Sequence, residues 1–339
     1  MNGERMAQEM AEQPERLRAL LARAEEISDQ IRDCLPSPLH GTTIVARGSS
    51  DHAATYGRYL IETANGRPVS MAAPSLHTLY GVPTRYEGQL VVAVSQSGQT
   101  PEIVTTLREL CDGEGRGLAI TNDPSSDLAS AAEAVISLGV GDERAVPATK
   151  TVTAQMAAFA ILARALGEVP FSSDELFAVP DWIQEVLDDA GPVALAAEAL
   201  AGCSRLVVVA RGYLYGAAEE AALKIKETCS LMADGYSSAD LRHGPIAAVT
   251  PEVPVLALNA PGPAEQDMTA LIGELRERGS NVLVVGCQDD ADLPLPPGMP
   301  EALAPIVAVV RAQQLARALA LKLGYDPDNP EGLSKVTIT

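Results

Sequence analysis

Two tandem α/β domains, each a doubly wound parallel sheet with helices on both faces, are what this sequence predicts. Three observations carry that prediction. Val45-Ala46-Arg47-Gly48 recurs as Val209-Ala210-Arg211-Gly212, an offset of 212 − 48 = 164 residues, and each copy follows a β-branched run and precedes a helical stretch. Short apolar runs alternate with helical periods through both halves, the pattern of βα units. Hydrophobic residues make up 47% of the chain but aromatics only 4%, so the interior is built from Ala, Val, Leu and Ile, as in parallel sheets covered by helices. With 339 residues there is material for two cores of roughly 150 residues each.

Residues 1–34 read as an N-terminal helical segment, rich in Glu and Arg and lacking the apolar centre of a signal peptide. The first domain, 35–168, has strands at 42–45, 90–94, 117–121 and 134–138, with helices at 51–62, 101–111 and 149–166. A short helical linker, 169–192, carries Pro170, Pro180, Trp182 and many acids. In the second domain, 193–323, strands are expected at 206–209, 253–258 and 281–285, and helices at 215–227, 264–278 and 305–323. Pro327 and Pro330 with no helical period make 324–339 an extended tail.

A formal net charge of −20 repels nucleic acid and anionic membrane, and no basic stripe overrides it. Neither is an expected partner. No apolar run looks long enough to span a bilayer, so a cytoplasmic protein is expected. The five cysteines, Cys34, Cys111, Cys203, Cys229 and Cys287, form no CxxC pair and read as reduced, buried thiols. No histidine lies close in sequence to another or to a cysteine, and no metal or other cofactor is expected.

The chemistry-bearing residues lie at strand ends and on one helix. Strand 90–94 runs into Ser95-Gln96-Ser97-Gly98-Gln99-Thr100, and Pro101 and Glu102 then open a helix. Hydroxyls, an amide and a glycine there stand where free N–H groups and the positive end of a helix dipole meet an anion. An ordinary Ser/Thr helix cap is the plainer reading of the same residues. Gly48-Ser49-Ser50 forms a second hydroxyl-rich turn, without the glycine spacing of a dinucleotide fingerprint.

In the second half, Lys224 and Glu227 lie three apart on one helix face, where a solvated salt bridge is the plain alternative to a base with a tuned pKa. His243, in Leu241-Arg242-His243-Gly244-Pro245, is aimed by a rigid, loop-like turn and titrates in the range that suits proton transfer. Lys335 stands in Ser334-Lys335-Val336-Thr337 of the tail.

Taken together, from about residue 42 to 339, these motifs resemble the sugar isomerase (SIS) family of double-domain phosphosugar enzymes. The stretch 95–100 looks like that family's phosphate loop, 224–227 its catalytic helix, 241–245 its ring-opening histidine loop and 333–336 its lysine tail. The resemblance is to two groups in particular, the isomerase half of glutamine:fructose-6-phosphate amidotransferase and the SIS-type glucosamine-6-phosphate deaminases. A glutaminase domain headed by a nucleophilic cysteine is expected to be absent, which argues against glutamine-dependent synthesis. Arg47-Gly48-Ser49-Ser50-Asp51-His52-Ala53 and Ser237-Ser238-Ala239-Asp240 are more similar to the deaminases. Arg47 stands where the synthase has cysteine, and Ala148, in Val146-Pro147-Ala148-Thr149-Lys150, where it has serine.

The resemblance implies roles. Gly48, Ser49, Ser50, Ser95, Gln96, Ser97 and Thr100 would hold the phosphate end of a phosphorylated amino sugar or ketose, with Val146, Ala148 and Ser334 also contacting substrate. His243 would open the ring, Glu227 would move a proton between C2 and C1, and Lys224 would stabilise developing charge. Lys335 would form a Schiff base or close the site electrostatically. A homodimer with shared sites is implied, the histidine coming from the partner. The expected reaction is glucosamine 6-phosphate plus water to fructose 6-phosphate plus ammonia. A ketosamine 6-phosphate deglycase, a galactosamine 6-phosphate deaminase and a non-catalytic sugar-phosphate sensor are the alternatives.

Overall fold

Each half of the chain forms a five-stranded, all-parallel sheet in the computed structural model, which describes residues 2–335. The first sheet is built from β1 (Gly41–Val45), β2 (Val69–Met71), β3 (Gln89–Val94), β4 (Arg116–Thr121) and β5 (Ala134–Ser137), side by side as β2-β1-β3-β4-β5. The second comprises β6 (Arg205–Ala210), β7 (Met232–Ser237), β8 (Val255–Asn259), β9 (Val282–Gly286) and β10 (Leu293–Pro294), ordered β7-β6-β8-β9-β10. The two orders are the same. Even the register repeats, since Val45 pairs with Ala93 in the first sheet and Val209 with Ala257 in the second. In both, the order reverses between the first and third strands, and open α/β sheets hold ligands at that point, beyond the carboxyl ends.

The doubly wound α/β reading therefore stands, and its central strands fall within a residue or two of the expected positions. Missing from it are β2, β7 and β10, all at sheet edges. An edge strand has one flank in solvent, so it need carry no continuous apolar run. The polar Met-Ala-Asp-Gly-Tyr-Ser of β7 shows this most plainly. Residues 169–192 hold more than a short connection: helix Ser173–Asp188 begins in a capping box between Ser172 and Glu175.

Contacts divide the described chain into two compact units that cut across the expected domain limits. One, the first-sheet unit, comprises 15–142 and 150–170; the other, the second-sheet unit, comprises 2–14, 143–149 and 171–335. The insert 143–149 is stitched into the second-sheet unit by hydrogen bonds. Val146 N–H donates to the Asp328 carbonyl at 3.1 Å, and Gln313 Nε2 to the Thr149 carbonyl at 3.2 Å. Asp328 also accepts from the N–H groups of Met6 (2.8 Å) and Arg5 (3.1 Å), satisfying the first turn of helix Glu4–Ala11.

In the first-sheet unit, Val45, Val91, Ala93 and Ala119 meet Ile103, Leu107 and Leu110 of helix Pro101–Asp112. Helices Ala24–Cys34, Ser49–Asn65 and Lys150–Leu166 also lie against its strands. Gly57 makes one approach possible, because a Cβ there would lie 2.2 Å from the ring of Phe159, which is fully buried. Gly57→Ala is expected to cost about 1–3 kcal/mol through overpacking, read as a lower urea midpoint at unchanged slope.

In the second-sheet unit, Val209, Val255, Ala257 and Val282 meet Met268, Leu271 and Leu275 of helix Glu265–Glu277. Helix Ala304–Lys322 is, by length and composition, apolar enough to cross a membrane, contrary to the sequence reading, but most of it is buried. Its Arg311 is buried too and donates to the carbonyls of Pro294 (2.7 Å) and Asp189 (2.6 Å), which is how a core tolerates a guanidinium. All five cysteines are free, with Cys34 and Cys229 buried, and burial pushes the Cys111, Cys229 and Cys287 thiols up to about 11.

Candidate active site

The first-sheet unit offers an uncapped pair of helix starts at its switch point. Thr100 precedes helix Pro101–Asp112 yet makes no side-chain cap; its hydroxyl instead lies 3.3 Å from that of Ser95. Gly48 precedes helix Ser49–Asn65 and has no side chain to cap with. The same unit caps properly elsewhere, since Ser126 accepts from Ala129 N–H at the start of helix Asp127–Ala131. Two uncapped N-termini at the ends of β1 and β3 leave first-turn N–H groups for an anion, which favours the anion-site reading over the plain cap.

Internal bonds hold the loop's shape. Gly98 N–H donates to the Ser95 carbonyl and hydroxyl, both at 3.2 Å, and the Gln96 carbonyl accepts from Asn122 N–H at 3.1 Å. Gly98 has φ +63°, and a Cβ there would meet Ser126 Oγ at 2.1 Å, so only glycine fits. Ser95 is buried, Gln96, Ser97 and Thr100 are half-buried, and Ser49 is half-buried beside the buried Ser50. Ser50 Oγ accepts from Gln155 Nε2 at 2.9 Å, a buried partner that the sequence reading missed.

Arg47, which the sequence marked only as a departure, is an exposed cation on this rim. Its Nε donates to Glu102 Oε2 at 3.0 Å, and its terminal amino groups make no other hydrogen bond or ion pair that is resolved among the described residues. A guanidinium held by one nitrogen and open at two can take an anion bidentately. Arg47→Ala is expected to weaken inorganic phosphate binding roughly tenfold by titration calorimetry; an unchanged Kd would confine Arg47 to its pairing with Glu102.

The second-sheet unit gathers charge around Lys224, which is fully buried on helix Tyr215–Cys229. Its ammonium pairs with Glu227 and lies 3.4 Å from Glu220 Oε1. Burial pushes the Lys224 ammonium down, yet Glu220, Glu227 and Glu143 together carry it above its ordinary value. The solvated-pair alternative is thereby ruled out for Lys224. Glu227, at 22% side-chain exposure, is the member that a substrate can reach.

Lys335 joins the same cluster through a carboxylate that the sequence reading did not find. Its Nζ donates to Glu143 Oε2 at 2.7 Å, while Glu143 Oε1 accepts from Thr149 N–H at 2.9 Å. Glu9 accepts from the N–H groups of Arg144 and Ala145; burial pushes its carboxyl up against those bonds. Val146 and Ala148, both half-buried, sit on this insert, and Ser334 is exposed next to Lys335. Val336 and Thr337 lie outside the described residues.

His243 lies in a turn, as Gly244 and Pro245 led one to expect. It ends a short helix, Ser238–Arg242, whose cap is Ser237 accepting from Asp240 N–H at 3.2 Å. Ser238 donates to Asp267, and Arg242 Nη1 to Asp267 Oδ1 at 2.9 Å, tying that helix to Glu265–Glu277. The imidazole is exposed. Lys224, Glu227, Lys335 and the 143–149 insert thus form one cluster, whereas no bond resolved among the described residues joins His243 to it. No group of three or more His, Cys, Asp or Glu side chains among the described residues is arranged to hold a metal ion.

The SIS domain profile matches residues 42–165 and 199–296, one stretch in each half of the chain. The chain belongs to the SIS domain family. Glutamine--fructose-6-phosphate aminotransferase [isomerizing] of Methanothermobacter thermautotrophicus is 30% identical to this SIS protein over 338 residues, covering 97% of this chain and 56% of its own length. The chain thus spans about half the length of the curated relatives it matches. Among solved structures, a candidate phosphosugar isomerase from Silicibacter pomeroyi superposes with TM-score 0.83 at 31% identity, over 97% of this chain and all of that one. Glucosamine-6-phosphate deaminase of Thermotoga maritima shares the fold, with TM-score 0.81 at 22% identity over 99% and 100% of the two chains.

Proposed function

We propose that this SIS protein is a phosphosugar deaminase/isomerase that converts glucosamine 6-phosphate and water to fructose 6-phosphate and ammonia. The observation that carries the reading is the half-buried Glu227 carboxylate held against the fully buried Lys224 ammonium. A carboxylate so placed can take a proton from carbon while the neighbouring ammonium steadies the charge that develops. In the first-sheet unit, Ser95, Gln96, Ser97 and Thr100, with Ser49, Ser50 and Arg47, take the phosphate ester.

In this reading His243 moves the O1 proton to the ring oxygen and opens the sugar. Glu227 then removes the C2 proton and returns it to C1 while a proton passes from the amine nitrogen to O1, so the aldehyde carbon is reduced as the C2–N bond is oxidised through an enolamine to a ketimine. Water adds to that C=N bond and ammonia leaves. Lys335, held by Glu143 at 2.7 Å, serves as a cation at the rim of the cluster. The exposed His243 fits a homodimer in which each histidine serves the partner's cluster.

A second reading rests on the aminotransferase relatives, whose proton transfer between C1 and C2 would use the same groups. The test is ammonia and fructose 6-phosphate release from glucosamine 6-phosphate by the purified protein. Release of both in equal amounts is expected, and His243→Ala should retain activity only on the open-chain form. Binding without ammonia release would overturn the deaminase reading. Galactosamine 6-phosphate and ketosamine 6-phosphates, run in parallel, separate the related activities.

A further inference from the structure

The duplicated fold poses a question at its second switch point. Counting 164 residues on from the first crevice, Gly48 becomes Gly212, Gly98 becomes Gly262, and Ser95, Ser97 and Thr100 become Asn259, Pro261 and Ala264. Gly48 and Gly212 share a positive φ, +59° and +60°. The serine and threonine hydroxyls are gone, and of the two glycines the first keeps its φ while the second changes from +63° at Gly98 to +158° at Gly262.

The space over those turns differs. Over the second glycine of each pair the space is filled in both halves, by Ser126 Oγ at 2.1 Å from a Cβ on Gly98 and by Glu301 Oε2 at 2.2 Å from one on Gly262, but over the first a Cβ on Gly48 would meet nothing within 4 Å, whereas one on Gly212 would lie 3.6 Å from Glu301 Oε1. The Glu301 carboxyl therefore lies between the two glycine turns that end β6 and β8. It is 7% exposed and accepts from the N–H of Ala264, the residue that opens helix Glu265–Glu277. Ala264 is the counterpart of Thr100 in the phosphate loop.

We propose that the switch-point crevice of the second sheet is a duplicate of the anion crevice in the first, and that the chain fills it with the carboxyl group of its own Glu301. The first crevice is open over Gly48 and ringed with hydroxyls; the second has exchanged them for a resident occupant. Burial pushes the Glu301 carboxyl up, against the Ala264 N–H, which accords with a crevice that no longer offers the donors a phosphate needs. One chain then takes up one phosphate ester at its strand ends. This goes beyond the proposed reaction, because it concerns a crevice that the reaction does not use.

Supplying the missing carboxyl from solution tests it. Glu301→Ala should melt below wild type, and about 0.1 M sodium acetate should return roughly half of that loss relative to sodium chloride at equal ionic strength, since a ligand of the folded state alone stabilises it by mass action. Wild type and Glu301→Gln, whose crevices stay filled, should respond alike to the two salts. An equal response of all three proteins overturns the proposal. Glu301→Ser supplies the same comparison where Glu301→Ala does not fold.

Wild type gives a second, independent check by calorimetric titration with inorganic phosphate. One site per chain is expected, lost when Ser95→Ala and Thr100→Val are combined; a second site, or one surviving that double variant, overturns the proposal. If wild type binds no phosphate, the phosphate reading of the first crevice fails, and the acetate comparison still decides the case of Glu301.

Discussion

Glu227→Gln is expected to lower kcat on glucosamine 6-phosphate by about 10²–10⁴-fold, the usual worth of a positioned general base. Glutamine keeps the volume and an oxygen for the Lys224 ammonium, so KM and the melting midpoint should change little. What it cannot do is accept a proton. Exchange of the C2 hydrogen with solvent deuterium is therefore the readout that separates a base from a prop, and it should disappear with turnover. Exchange that persists in the variant would remove Glu227 from the chemistry.

Lys224→Met should produce the largest loss of stability of any change at the site, about 3–5 kcal/mol, because the buried carboxylate of Glu220 loses the ammonium that lies 3.4 Å from it. Urea unfolding at neutral pH measures it. In wild type the sign is simple. The Lys224 pKa is raised in the folded state, so its contribution is whole below the ordinary lysine value and fades only as the pH rises through the folded one. Adding Glu220→Leu to Lys224→Met should restore most of the loss, since a buried pair replaced by apolar side chains is nearly neutral. A Lys224→Met protein as stable as wild type would mean that the ammonium is not the keystone of the cluster.

Legibility from sequence followed the range of the signal. Strands buried on both faces announce themselves as apolar runs, so β1, β3, β4, β6, β8 and β9 were readable while three of the edge strands were not. Glu220 was within reach, because it lies four residues before Lys224 on the face that also carries Glu227. Glu143 was not. It stands on a segment with no period, and its partner Lys335 is 192 residues away. Arg47 was noticed only as an exception to a pattern, although the pattern is what hides a cation newly placed on a rim. The 164-residue repeat was legible as four letters, but its extension to strand register, and to Glu301 standing over Gly212 and Gly262, needed the folded chain.

The interleaving of the two units bears on how this chain is made. Synthesis runs from the amino end, and domains generally fold as they emerge. Here residues 2–14 precede every strand of both sheets, yet the carboxylate that satisfies the first turn of their helix is Asp328. Glu143, made midway, meets its lysine only when residue 335 has been added. For most of translation the second-sheet unit is therefore a set of waiting pieces, and the cluster around Lys224 lacks its outer cation. A chain cut short of residue 335 keeps every strand of the first sheet but lacks the lysine that pairs with Glu143.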